Sequence, residues 1–391
     1  MSLRINIVFL IAFIACLASC SKDPKVEGDQ ESKFVKLFGG SVDDIGKSLV
    51  ECSDGGFAIT GTMLNPDNTP QAFLIRTDKF GNEFSWSPVF IGNTLSTRAK
   101  SLLLTSDGNF LVTGSVKTVA GDSDVMVSKI SAQGSILWYK TFGGSADDEG
   151  FCATEIESGS YIIGGYSESD PSFGGKDLFV LNLTKDGDLV WQKNYGGPQD
   201  EVCNQILKLG RDLVLLGTTY SYQTTNDIPN IYLVTIDPNN PLTPLGGQNY
   251  GGTSKIKGIK GFISGTNNIM VIGNKQIGDS SKIFMLSLQD DIYTEVWEKN
   301  ISSNQNECAN DLLFQNNQYI TLGCSGFSPN LDFLIQPLSL NGSPLPLITI
   351  TSSGTQVIFS GIISKDNHLV YTGQNSINGI SKIVLVKTNL P

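Results

Sequence analysis

The sequence predicts an all-β fold built from seven similar units, and three periodic markers predict it. The first is a phrase ending in glycine: DGGFAITG at Gly61, SDGNFLVTG at Gly114, ESGSYIIGG at Gly165, LGRDLVLLG at Gly217, GTNNIMVIG at Gly273, QNNQYITLG at Gly323 and KDNHLVYTG at Gly373. Successive glycines are separated by 53, 51, 52, 56, 50 and 50 residues. The second marker is the tryptophans: Trp86, Trp138, Trp191 and Trp297 lie 52, 53 and 106 residues apart. The third is an aromatic residue before Gly-Gly, at Phe38, Phe142, Tyr195 and Tyr250. A fixed period in this range marks a repeat architecture.

The third unit, Gly143 to Tyr195, shows what one repeat contains. Apolar runs at Phe151 to Ile156 and Tyr161 to Ile163 flank the Ser158-Gly159-Ser160 turn, and a polar loop leads to DLFVLNL, Asp177 to Leu183. The turn KDGD then precedes LVWQKNY, Leu189 to Tyr195. Short β-branched and aromatic runs split by Gly, Asp and Asn turns read as strands in hairpins. Four antiparallel strands cannot bury both faces of their own sheet, whereas units packed radially can, which gives a seven-bladed β-propeller. A β-helix or a sandwich could use the same strands, but β-helix coils repeat faster.

Closure of the ring follows from the chain ends. The last unit stops after its third strand, KIVLVKTN, and the segment FVKLFGG, Phe34 to Gly40, has the aspect of the missing fourth, with Phe34 standing where Trp191 stands in LVWQKNYGG. Pairing the two ends would leave no open edge. On these residues the chain resembles seven-bladed β-propellers whose rings close with strands from both termini, over residues 33–391. The run TDKFGNEFSW, Thr77 to Trp86, also resembles the docking repeat of quinoprotein-type propellers. SAQGSILW lacks the acid, and the fourth and sixth units lack the tryptophan, so no quinone cofactor is carried over and the tryptophans are expected to pack between blades.

Residues 1–20 read as a secretion signal: one cation, Arg4, an apolar stretch from Ile5 to Ala15, then Leu17-Ala18-Ser19-Cys20. Leu-Ala-Ser-Cys resembles the bacterial lipobox, which implies cleavage before Cys20 and its acylation; an ordinary cleaved signal is the alternative. Residues 21–32 are polar and charged, and read as a flexible tether between a lipid and the propeller. The implied location is the cell envelope, as an outer membrane lipoprotein facing the periplasm or the outside.

The formal charge is −11, with 38 acids against 27 lysines and arginines and no basic cluster. Such a surface repels phosphate backbones, so nucleic acid is not an expected partner. No C-x-x-C is present and the only histidine is His368, so zinc is not implied, and no metal ligand or cofactor is assigned. Cys308 and Cys324 fall opposite each other across the hairpin around Asn316 and could form a disulfide, which an oxidising compartment permits.

Function is expected on the face that collects the inter-blade connections and the loops between second and third strands. GGSVDD with Asp43 and Asp44, GGSADDEG with Asp147 and Asp148, and GGPQDE with Asp200 and Glu201 belong there, with Phe173, Tyr220 and Tyr222 in the within-blade loops. These acids could bind a cation or sugar hydroxyls and the aromatics could stack on a sugar or a partner; alternatively the acids hold turn backbones. With His368 placed at a turn on the opposite face and no G-x-S-x-G, no catalytic residue is assigned. The expected function is non-enzymatic protein or glycan binding. A glycan-cleaving hydrolase or lyase using the acids, and a scaffold subunit of an envelope assembly, are the alternatives.

Overall fold

A computed structural model describes residues 3–6, 33–39, 44–92, 95–170, 174–222, 228–264, 268–289, 293–301, 306–351 and 354–391. The described residues form seven antiparallel sheets, each running outward in chain order from its first strand. Blade 1 comprises Ile45–Glu51, Phe57–Leu64, Pro70–Arg76 and Val89–Ile91, and blade 2 Thr97–Leu104, Phe110–Lys117, Ser123–Ile130 and Ile136–Phe142. Blade 3 comprises Asp148–Glu155, Tyr161–Ser167, Asp177–Leu183 and Leu189–Tyr195. Blade 4 comprises Glu201–Leu209, Asp212–Thr219, Asn230–Ile236 and Gly246–Tyr250. Blades 5 and 6 begin at Lys255–Ile263 and Glu307–Gln315 and end at Glu295–Asn300 and Ile348–Thr351. Blade 7 has three strands of its own, Thr355–Ile363, His368–Ile377 and Ile380–Asn389. Phe34–Phe38 completes it, antiparallel to the last strand with Phe34 opposite Lys387. The sixth sheet carries a fifth strand, Leu3–Asn6, parallel to Ile348–Thr351, within the segment that the sequence reads as a signal.

The ring is closed by packing as well as by pairing. Seven buried apolar clusters each join two neighbouring blades, and the last joins Val370, Ile383 and Leu385 of blade 7 to Phe57, Ile59 and Phe73 of blade 1. The first strands touch one another all the way round, the seventh against the first, so they line the axis. At about 25 cal/mol per Å² of apolar area removed from water, such inter-blade burial is the dominant stabilising term.

The docking aromatics reach across the same junctions. Trp86, Trp138 and Trp297 lie against Gly134, Gly187 and Gly342, the turn glycines of the next blade, and Phe34 of the closing strand lies against Gly81 of blade 1. Trp138 and Trp191 donate their indole N–H groups to the carbonyls of Lys185 and Pro238, one blade on. A side chain added at any of these glycines would occupy the ring's seat.

The acid of the recurring phrase has a partner that periodicity does not reveal. Asp54, Asp107 and Asp366, in the turn between first and second strands, accept from Arg76, Lys129 and Lys387 on the third strand, each at 2.6 Å. The cations are buried, with side chains 3–7% exposed, and the acids are about half exposed. At the equivalent sequence positions, seven before the repeat glycine, the other four blades have Ser158, Gly210, Thr266 and Asn316, and the strand positions hold Asn182, Thr235, Ser287 and Pro337. Acid and cation thus occur together or not at all. Burial works against charge on Asp107 and Asp366, yet hydrogen bonds from Lys129 and Lys387 hold both carboxyls below the usual range. Asp366→Ala strands a buried ammonium and is expected to cost about 1–3 kcal/mol, less than a fully buried pair because the acid is half in water. Lys387→Met added to it should recover most of that loss in a double-mutant cycle by urea denaturation, and additive losses would refute the pairing.

Cys308 and Cys324 are opposite residues across the blade 6 hairpin and are bonded, with a Cα–Cα distance of 5.3 Å. Cys52, Cys152 and Cys203 are buried thiols.

Candidate functional site

The seven repeat glycines build the axis. A β-carbon on Gly61, Gly114, Gly165, Gly217, Gly273, Gly323 or Gly373 would lie 1.8–2.4 Å from the carbonyl oxygen of Ile45, Arg98, Glu149, Val202, Lys257, Cys308 or Val357 respectively. Only glycine admits that approach of the first strand. Directly after it every first strand slips register by one residue, at Lys47, Lys100, Phe151, Asn204, Ile259, Asn310 and Phe359. A β-bulge of this kind re-aims the side chain it adds. The fold therefore presents seven equivalent, partly exposed side chains on the strands that surround the axis.

Two of the seven serve the ring. The Asn204 and Asn310 side-chain amides donate to the carbonyls of Gly258 and Ile358 in the next blade, at 2.6 and 2.8 Å. Residues one further along do the same work: Ser48, Gln205 and Asp311 accept from the backbone N–H groups of Leu102, Gly261 and Gly361. Four others, in the consecutive blades 7, 1, 2 and 3, form an arc of Phe359, Lys47, Lys100 and Phe151. The Lys47 ammonium sits 3.3 Å from the Phe359 ring centroid, and that of Lys100 lies 5.1 Å from the Phe151 centroid. Burial first, and the charge of Lys100 second, push Lys47 down to about 8. Lys100 is 3.5 Å from Glu149, which also accepts from Ser115 Oγ at 3.0 Å.

The looped face holds the described acids singled out in the sequence, and Asp44, Asp148 and Glu201 turn inward. Asp44 is buried and accepts from the Leu64 amide at 3.2 Å. Asp148 is fully buried and its Oδ2 accepts from the Gly144 amide and Ser169 Oγ, both at 2.8 Å. Glu201, also fully buried, accepts from the Gly197 amide at 2.7 Å and from Thr219 Oγ1 at 2.5 Å. Asp148 and Glu201 thus clamp the Gly-Gly crossings that lead into their own blades. Asp147 lies 3.7 Å from Lys117, and Asp200 accepts from the Lys176 amide while its carbonyl accepts from that of Tyr220. Tyr222 is exposed, with its ring 5.3 Å from that of Tyr232. Asp43 and Phe173 lie outside the described residues. Ser169 Oγ donates to Asp148 and accepts from the Ala146 amide, and Ser221 donates its amide to Glu201 while its Oγ accepts from the Gln199 amide. Among the described residues no three His, Cys, Asp or Glu side chains gather as a metal ion would require.

A second acid stands behind each clamp. Asp124 and Asp148 flank Gly143, and Asp177 and Glu201 flank Gly196, in the space where a side chain would otherwise lie. Asp177 is fully buried and neither carboxyl oxygen has a hydrogen-bond partner. Burial, then the charges of Glu201, Asp170 and Asp200, raise it to about 7. Beside the Asp148 clamp, a cavity of about 400 Å³ opens, lined by Ser169, Asp170, Gln192 and Asn194 among others.

The bulge residues escaped the sequence reading, although a signal exists. Each stands 13 or 14 residues before its repeat glycine, a spacing that becomes informative only once the glycine is known to lie under the first strand.

No protein-family model matches the chain, and no curated protein matches it. Solved structures match in fold. One is a polysaccharide lyase of family PL25, an ulvan lyase solved bound to -[GlcA(1-4)Rha3S]-, at 9% identity and TM-score 0.55 over 89% of this chain and 95% of the lyase. Another is a chain of the complex of Drosophila Plexin A with Semaphorin 1b, at 9% identity and TM-score 0.52 over 91% of this chain and 87% of that chain. At such identity the likeness is one of fold alone: the chain is a seven-bladed β-propeller.

Proposed function

We propose that the protein is a lipid-anchored cell-envelope propeller that binds a protein or a glycan without catalysing a reaction. The observation that favours binding over glycoside hydrolysis is the fate of Asp148 and Glu201. A glycoside-hydrolysing pair needs two carboxylates open to the scissile bond, whereas these two are fully buried and hold turn amides. One neighbour in fold is bound to a glycan and another to a protein, so the fold suits either partner. The anchor rests on Leu17-Ala18-Ser19-Cys20, which lies outside the described residues, with acyl chains held by about 0.8 kcal/mol per buried methylene.

Two measurements test this reading. Capture of partners on the native lipoprotein, followed by mass spectrometry and a polysaccharide depolymerisation assay, should yield a bound partner and no chain cleavage. Turnover of a polysaccharide would replace binding by catalysis. Cys20→Ser should move the protein from the membrane to the soluble fraction, and continued sedimentation with membranes would refute the anchor.

A further inference from the structure

We propose that the arc of Phe359, Lys47, Lys100 and Phe151 on the axis is a binding site for a carboxylate-bearing saccharide, an inference that rests on the reading of the protein as a binding module.

Three observations carry it. First, the arc is built by the fold rather than scattered on the surface: four consecutive blades place these residues at one equivalent bulge, which the repeat glycines force. In blades 4 and 6 the same position is asparagine and ties the next blade's backbone, so the ring alone does not call for lysine or phenylalanine there. Second, the chain carries 38 acids against 27 lysines and arginines. Even so, Lys47 has an aromatic face and no carboxylate beside it among the described residues. Lys100, in the adjacent blade, has only the 3.5 Å approach of Glu149. Two ammonium groups on adjacent first strands disfavour each other, as Lys100 does Lys47, and are relieved by an anion between them. Third, an aromatic ring ends the arc on each side. A ring face stacks on the apolar face of a pyranose, and an ammonium pairs with its carboxylate, so aromatic and cation together match an acidic sugar better than a bare anion or a neutral glycan.

The test is calorimetric titration of the full chain with tetragalacturonate, neutral maltotetraose and tetraglutamate. Tetragalacturonate should bind, with affinity falling as salt rises. Lys47→Gln and Lys100→Gln should each weaken it at least tenfold, Phe359→Leu several-fold, and Lys47→Arg should stay within about threefold of wild type. Unchanged melting temperatures in the lysine variants would show that the ring is intact. Absence of tetragalacturonate binding, or indifference to both lysine substitutions, overturns the proposal, as does equal binding of maltotetraose. Tetraglutamate binding as tightly through the same lysines overturns the saccharide in favour of an acidic peptide. If a partner is captured from the envelope and its binding ignores Lys47 and Lys100, this inference fails while the binding function stands; if the wild-type protein captures nothing, that function fails too.

Discussion

A chain beginning at residue 40 is expected to lose the closed ring. Phe34–Phe38 supplies the outer strand of blade 7, Phe38 is buried between blades, and Phe34 lies against Gly81 and edge-on to Phe57. Removing the strand strips two phenylalanines from their seats, at about 2–3 kcal/mol each, and leaves Ile380–Asn389 as an unpaired edge. A loss of about 5 kcal/mol or more in urea denaturation, with aggregation by size-exclusion chromatography, is the expected outcome. Phe34→Ala, which keeps the backbone pairing, should fold and lose about 2–4 kcal/mol. Wild-type stability in both variants would mean that the segment does not close the ring.

Stability should also fall as pH rises from about 4 to about 7, and Asp177→Asn should remove that fall. In the folded protein this carboxyl is raised to about 7 by burial and by Glu201, against about 3.9 in an unfolded chain. A raised folded-state value means that the native protein binds the proton more tightly. The contribution is therefore fully present below about pH 4 and is lost between about pH 4 and 7. At about 1.4 kcal/mol per unit, the loss at pH 8 amounts to at most about 4 kcal/mol, and Asp177→Asn should be more stable than wild type there by a few kcal/mol. The three turn acids act in the opposite direction. Asp54, Asp107 and Asp366 are held low by Arg76, Lys129 and Lys387, so their contribution is present at neutral pH and lost on acidification. Thermal denaturation of both proteins between pH 4 and 9 checks the sign. A wild-type curve that stays flat from pH 5 to 8 would rule out a buried, proton-holding Asp177.

The repeat length, the strand order and the closing strand were legible because each is written in residues that tolerate few substitutes: Gly61 and its six counterparts under a carbonyl, Trp138 on Gly187, Phe34 on Gly81. The Cys308–Cys324 bond was legible because hairpin register follows from the turn at Asn316. The candidate site was harder to read, for a physical reason. A carboxylate in a Gly-Gly crossing looks the same in sequence whether it faces solvent or turns back onto an amide, and Asp148 and Glu201 turn back. Lys47 and Lys100 sit in short mixed runs whose alternation is interrupted by the bulge, so strand periodicity assigns them to no face. The pairing of Asp107 with Lys129 was hidden because the two are 22 residues apart and meet only through strand register.

Hydrogen exchange with mass spectrometry on the full chain tests the central claim, a seven-bladed ring closed on itself with its first strands around one axis. Amides of residues 34–38 should be protected to the same degree as those of Ile380–Asn389, and both should deprotect together on mild destabilisation. Exchange of 34–38 at free-chain rates while 380–389 stays protected would contradict the closed ring.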